Sequence, residues 1–220
     1  MAPRLRVAVP KLNQRHRDDI MRHLLRLPAQ DRLLRFGHPV KDEAIREYVA
    51  RIDFGHDRVF GVHAPDLALA GVGHLAFDPQ AGAAELGLSV DAASRGKGYG
   101  YALLQRGVQH AANLGYRALF MHCLADNRIM MHLARKAGLH VVVTAGEADA
   151  TLSLDRATHG DVLGEAVNDQ FALIDCLLKQ HDLWLAHAGL KSWPKPGDRD
   201  ERRAIAGDAE AHQGEVPQRP

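Results

Sequence analysis

The spacing of apolar positions changes twice along this chain. Between residues 17 and 27, Ile20, Met21, Leu24 and Leu25 recur at helical spacing, which predicts a helix closed at Pro28. Residues 31–36 and 42–52 give two further helical stretches, the second carrying Ile45, Tyr48, Val49 and Ile52. Ahead of them, residues 4–9 alternate loosely and predict a first strand. The pattern then becomes strand-like over 58–63, 68–77 and 83–91, with turn compositions at 64–66 and 78–82. Connections this short leave no room for crossover helices, so these runs form an antiparallel meander.

Helical spacing returns over 99–114, where Leu104, Val108, Ala111 and Ala112 share a stripe and Gly115 marks the stop. Residues 118–124 predict a strand and 127–137 a second helix ended by Gly138. Residues 140–143 and 151–154 predict a closing pair of strands. Strand, helix, strand is a crossover unit, so the fold class is α/β with a mixed sheet, antiparallel first and parallel at its centre. The domain occupies residues 1–155. Residues 156–190 form a helical extension, with Leu163, Val167, Phe171, Ile174, Leu178 and Leu185 near one face of a helix over 161–187. That helix is expected to cap the domain, to pair with a second copy in a homodimer, or to pack on nothing specific. Residues 191–220 hold too little apolar surface to offset their ordering entropy and are expected to form a disordered tail.

Composition narrows the class. Of 220 residues, 46% are hydrophobic and 25% charged, as in an ordinary globular domain. No apolar run approaches the roughly 20 residues needed to span a bilayer, and the basic N-terminus lacks the apolar core of a secretory signal. Cys123 and Cys176 are too few for a disulfide framework or a thiolate metal site. A cytoplasmic protein without a membrane partner is expected. A net charge of +1 gives no general pull toward nucleic acid. Fourteen histidines show no metal-binding spacing and are expected as scattered surface residues, with no metal bound.

One segment carries chemistry. A strand ending near Asp91 runs into Arg95, Gly96, Lys97, Gly98, Tyr99 and Gly100, and a helix follows. The glycines allow a tight turn that brings backbone N–H groups to an anion, and the helix N-terminus adds free donors and partial positive charge. Arg95 and Lys97 add mobile charge, so the segment has the makings of a pyrophosphate cradle. Walker A spacing is absent, and the 96/98/100 spacing does not fit the dinucleotide fingerprint, which an opening βαβ unit should contain.

Val90-Asp-Ala-Ala-Ser-Arg-Gly-Lys-Gly-Tyr-Gly100 resembles the central motif of the GNAT acetyltransferases, Arg/Gln-x-x-Gly-x-Gly/Ala after a strand. Asn127-Arg-Ile-Met-Met-His-Leu-Ala-Arg-Lys-Ala-Gly-Leu139 is similar to that family's next motif, and the likeness spans roughly residues 5–154. The resemblance implies the GNAT fold, with acetyl-CoA as co-substrate in an opening between two parallel strands. Leu88, Ser89 and Val90 would then offer backbone to the pantetheine arm, with an N–H near Val90 as oxyanion donor. Residues 95–100 would hold the pyrophosphate, and Asn127 would bond the pantetheine arm.

Acetyl transfer to an amine needs a neutral nitrogen, and a free lysine has a pKa of about 10.4, so a base or a desolvated site helps. Glu85, on the strand feeding the cradle, matches a glutamate used as general base in bacterial protein-lysine acetyltransferases; His122 on the next strand is the second candidate. Many members carry a tyrosine acid on the second motif's helix, where this chain has Ala134. Leu25-Arg-Leu-Pro-Ala-Gln-Asp-Arg-Leu-Leu-Arg-Phe36 is also similar to a segment of those lysine acetyltransferases. The expected acceptor is a primary amine, on a protein lysine or a small molecule, attacked directly in a ternary complex. A non-catalytic acetyl-CoA sensor or interaction module is the alternative.

Overall fold

The computed structural model describes residues 7–154, 169–170, 172–180 and 183. A two-residue strand, β1 (Lys11–Leu12), leads into helices α1 (Arg17–Arg26), α2 (Ala29–Phe36) and α3 (Asp42–Arg51). Each helix has acidic residues in its first turn, where they meet the positive end of the dipole: Asp18 and Asp19, Asp31, and Asp42 with Glu43. The expected meander follows as β2 (Arg58–His63), β3 (Leu69–Asp78) and β4 (Ala83–Val90). Then come α4 (Tyr99–Asn113), β5 (Ala118–Leu124), α5 (Arg128–Lys136), β6 (His140–Thr144) and β7 (Glu147–Ser153). The strands form one sheet in the order β1-β2-β3-β4-β5-β7-β6, and among the described residues β4 and β5 are its parallel pair.

Two expected strands fall elsewhere. The first is not at 4–9, of which residues 4–6 lie outside the described part; β1 is Lys11–Leu12. Pro10 has no N–H to add to a ladder, although its carbonyl accepts from Gly61 at 3.0 Å, so pairing with β2 starts only after it. The last strand starts at Glu147 rather than 151, because Ala145 (φ 51°) and Gly146 (φ 90°) make a two-residue turn that returns the chain at once.

The sheet buries both faces. Against α4 and α5 it packs Phe60, Leu75, Leu86 and Leu88 onto Leu103, Leu104 and Ala111. Against α1 and α3 it packs Val59, Leu69 and Val72 onto Ile20, Leu24, Ile45 and Val49. Strand alternation divides β4 between these faces: Leu86 and Leu88 join the first core, while Glu85 is exposed and Ser89 bonds to α1.

An opening in the sheet comes from a short ladder. Parallel pairing of β4 with β5 covers only Ala83↔Ala118, Ala84↔Leu119 and Glu85↔Phe120. Beyond it β4 stays bound to β3 as far as Gly71↔Val90, while β5 stays bound to β7 as far as Leu124↔Glu147. The strands therefore part at their carboxyl ends, just before the glycine-rich turn.

Residues 169–170 and 172–180 are helical, inside the expected 161–187 helix; the remainder of that span and the tail at 191–220 lie outside the described residues. Asp169 pairs with Arg106 of α4 at 2.5 Å, and Lys179 donates to the carbonyl of His63 at 2.9 Å. Among the described residues no helix is long and apolar enough to cross a membrane.

Candidate active site

The turn after β4 ends in Gly98, which precedes α4 with φ 82°; Gly96 has φ 76°. These left-handed conformations suit glycine, and a Cβ at either position would meet nothing within 4 Å, so the backbone faces open space. No side chain caps α4, and the N–H groups of its first turn have no carbonyl one turn earlier to bind. Asp91 N–H donates to Ala70 of β3 at 2.9 Å. By alternation, the N–H groups of Leu88 and Val90 point the other way, across the gap between β4 and β5.

A cleft of about 380 Å³ runs from this gap to the turn, a volume in the range of small-molecule sites. Leu88, Ser89, Val90, Arg95, Gly96, Gly98, Tyr99, Gly100 and Asn127 all line it. The structure thus brings together every expected cofactor residue except Lys97, which stands exposed at the turn and does not line the cleft. Asn127 caps α5, its Oδ1 accepting from Met130 N–H at 3.1 Å. Its Nδ2 approaches the carbonyl of Leu34 at 3.5 Å, a contact that joins α5 to α2.

Helix α2, within the segment 25–36 whose resemblance pointed to the acceptor side, adds Asp31, Leu34 and Arg35 to the cleft lining. Arg95 is held across the mouth by Asp31 at 2.6 Å. Arg35 lies so close over Gly87 that a Cβ there would sit 2.5 Å from its guanidinium carbon. It also donates to the Tyr48 hydroxyl at 2.8 Å. Tyr48 in turn bonds His74 Nδ1 at 2.6 Å, and His74 Nε2 bonds Asp57 at 3.0 Å. Burial pushes the His74 pKa down.

Not all the histidines are surface residues. His23 of α1 is 0% exposed; its Nδ1 lies 3.0 Å from the Leu69 carbonyl and 3.3 Å from Asp91 Oδ1. A carbonyl only accepts, so Nδ1 carries the proton and Nε2 accepts from the Ser89 hydroxyl at 2.9 Å. Burial is the main cause pushing the His23 pKa below its ordinary value. The signal was present: His23 shares the inward stripe of Ile20 and Leu24, where a polar residue needs buried partners.

Glu85 is exposed where β4 and β5 part, and neither it nor His122 lines the cleft. His122 bonds Asp149 at 2.7 Å and lies 3.7 Å from Glu147; the Asp149 bond raises its pKa. Ala134 is 1% exposed and sits in the core under the cleft, so this position offers no acid.

The model of the acetyltransferase (GNAT) family matches residues 22–139, from α1 to the residue before β6. The chain belongs to this family. Similar solved structures include the GNAT domain of S. lividans PAT, 15% identical, covering 68% of this chain and 95% of that one, with a TM-score of 0.58. A phosphinothricin acetyltransferase from Sinorhizobium meliloti in complex with AcCoA is 16% identical, covering 70% and 91%, with a TM-score of 0.57. A spermidine N-acetyltransferase from Vibrio cholerae in complex with CoA and spermine is 16% identical, covering 69% and 97%, with a TM-score of 0.55. No curated protein sequence matches.

As a GNAT acetyltransferase the chain is an N-acetyltransferase using acetyl-CoA. Its residues fit that group: the hollow at Gly96 and Gly98 admits phosphate oxygens to the α4 N-terminus, with Arg95 and Lys136 beside it. The narrow gap lined by Leu88 and Val90 suits an extended arm.

Proposed function

We propose that this GNAT acetyltransferase moves the acetyl group of acetyl-CoA to a primary amine on a cationic acceptor, both being bound at once. The observation that carries this reading is the parting of β4 and β5 after Glu85↔Phe120, leading directly into the cradle at residues 95–100. Acetyl-CoA, when bound, supplies the thioester that is attacked. Tyr99, Gly100 and Tyr101 N–H groups and Arg95 hold its pyrophosphate, Asn127 and the strand backbone hold its arm, and Val90 N–H steadies the acyl oxygen.

The acceptor enters from the face opposite the α4 core. There Glu85 stands beside exposed Phe120 and His122, with Asp149 and Glu147 on β7 across from β5. This acidic, open surface suits a cation better than an apolar ring system. Glu85 takes the proton an ammonium must lose before it can attack, and passes it to solvent. His122 is the weaker base here, because its bond to Asp149 already favours the charged imidazole. The structural likeness to a spermidine N-acetyltransferase in complex with CoA and spermine supports polyamine amines as acceptors to try, and the resemblance of residues 25–36 to a segment of lysine acetyltransferases adds lysine amines. Alanine at 134, in place of the tyrosine acid that many family members carry, favours a second reading, a binding module without turnover.

Thermal unfolding with and without acetyl-CoA tests the cradle. At about 100 times its Kd, the ligand should add roughly 2.7 kcal/mol, a rise of several degrees. Gly98→Asp should abolish that rise by placing a carboxylate where phosphate belongs. Release of CoA with spermidine or a lysine homopolymer then separates enzyme from module. No shift at millimolar acetyl-CoA would overturn the proposal.

A further inference from the structure

We propose that Ser89 is a catalytic residue, and that His23 acts through it to carry the proton that must pass from amine nitrogen to departing sulfur. This rests on the acetyl-transfer reading above. The buried geometry supplies the argument. The Ser89 hydroxyl commits its proton to His23 Nε2 at 2.9 Å, while the residue itself forms part of the cleft wall. Behind it, the Leu69 carbonyl fixes the imidazole through Nδ1, with Asp91 Oδ1 3.3 Å from the same nitrogen. A hydroxyl, a base on its proton and a third group orienting that base make up the arrangement of an activated side chain.

Acetyl transfer leaves a proton to be moved. As the C–N bond forms, nitrogen holds one proton too many; as the C–S bond breaks, sulfur leaves with the bonding pair and lacks one. Ser89 Oγ takes the N–H proton while passing its own to His23 Nε2. The reverse movement delivers a proton from Ser89 to sulfur, so mass and charge balance and the pair ends as it began. The imidazolium formed in between meets Asp91 and the Leu69 carbonyl, both suited to positive charge. Charged groups around His23 are Asp91 after β4, Arg26 further along α1 and Arg35 on α2; the arginines oppose its charge and Asp91 favours it. A histidine that starts neutral and returns its proton readily suits a relay. The pair also supplies, from the α1 face, the acid that buried Ala134 does not.

The test uses the full chain and its S89A and H23Q variants, with acetyl-CoA and either spermidine or a lysine homopolymer. Expected are a kcat fall of roughly 10²-fold in S89A and loss of the imidazole limb of the pH–rate profile in both variants. The thermal shift produced by acetyl-CoA should be unchanged. Independently of turnover, ¹⁵N NMR of the ligand-free protein should show His23 neutral at pH 7 with its proton on Nδ1, and the Nε2 resonance should move in S89A. Should H23Q fail to fold, S89A and the NMR spectrum still decide. S89A with the parental rate and pH profile would reduce the pair to a tie between α1 and the sheet and overturn the proposal. So would a proton on Nε2, or an acetyl group on Ser89 after incubation without amine. Wild type stabilised by acetyl-CoA but inactive on both amines would remove the relay and leave cofactor binding standing; absence of stabilisation would remove both.

Discussion

Replacing Asp31 by Asn should tighten acetyl-CoA binding while slightly lowering stability. Asp31 Oδ1 lies 2.6 Å from Arg95 Nη2, so the cradle's arginine is engaged before any phosphate arrives. The side chains are 12% and 44% exposed, and a pair with one partner this open contributes about 0.5–1 kcal/mol after solvent screening. Asn keeps the shape and removes the charge. At about 1.4 kcal/mol per tenfold, freeing Arg95 should lower Kd by about two- to five-fold. The same carboxylate sits in the first turn of α2, where losing it should cost about 0.3–1 kcal/mol of folding stability. Opposite signs in affinity and Tm separate this from general damage. Calorimetric titration at low and high salt should show the gain shrinking as salt screens the pair. In an R95A background Asp31→Asn should bring much less gain, since the two effects are coupled. Unchanged or weaker binding at low salt, or a full gain without Arg95, would refute the reasoning.

Other outcomes follow from the same geometry. Glu85→Gln should lower kcat by roughly 10²-fold and leave the acetyl-CoA thermal shift intact, because the residue lies outside the cofactor cleft. An equal loss of cofactor affinity would count against a role toward the acceptor. Stability should fall on acidification. Burial holds His23 and His74 below their ordinary value of 6.5, so the unfolded chain takes up protons first. Their stabilisation is present above pH 6.5 and lost as pH falls below it. His122 has the opposite sign, its share being lost as pH rises through its raised value, but at 46% exposure it weighs less than the buried pair. Tm measured from pH 8 to pH 5 should therefore drop, with a flatter slope in His74→Gln; a rise on acidification would contradict the assignment.

Much of this was legible in the sequence, for definite physical reasons. Period 3.6 in α1 and α4, period 2 in β2–β4 and glycine punctuation at 96, 98 and 138 are local signals, and the elements they mark formed where expected. Much of the cleft lining was legible because it lies in two motifs, 88–100 and the one opened by Asn127. Local rules misplaced the ends of the sheet: Pro10 shortened the first pairing, and the turn at Ala145 and Gly146 lengthened β7. The walls of the site were harder to see. Asp31 reaches Arg95 across 64 positions, and His23 reaches Ser89 across 66. Those partnerships depend on how α1 and α2 dock on the sheet, which periodicity does not encode.

The division of β4 between two faces gives the proposed reading its geometry, with the cofactor held from one face and the acceptor admitted from the other. Leu86 and Leu88 anchor the strand in the α4 core, which fixes the cradle at the α4 N-terminus against a rigid support. Glu85, Gly87 and Ser89 alternate to the other face, Glu85 exposed, Gly87 under Arg35 of α2 and Ser89 bonded to His23 of α1. A residue there can touch an incoming amine without disturbing the core that holds the cofactor turn. Ser89 is the last of them before the chain turns into the cradle, beside the Val90 N–H that faces the gap. The proton chemistry proposed at this point comes from the α1 face, since Ala134 supplies no acid from α5. His23 would meet that need from α1, its buried bond to Ser89 costing stability in acid while serving the strand position proposed to face both substrates.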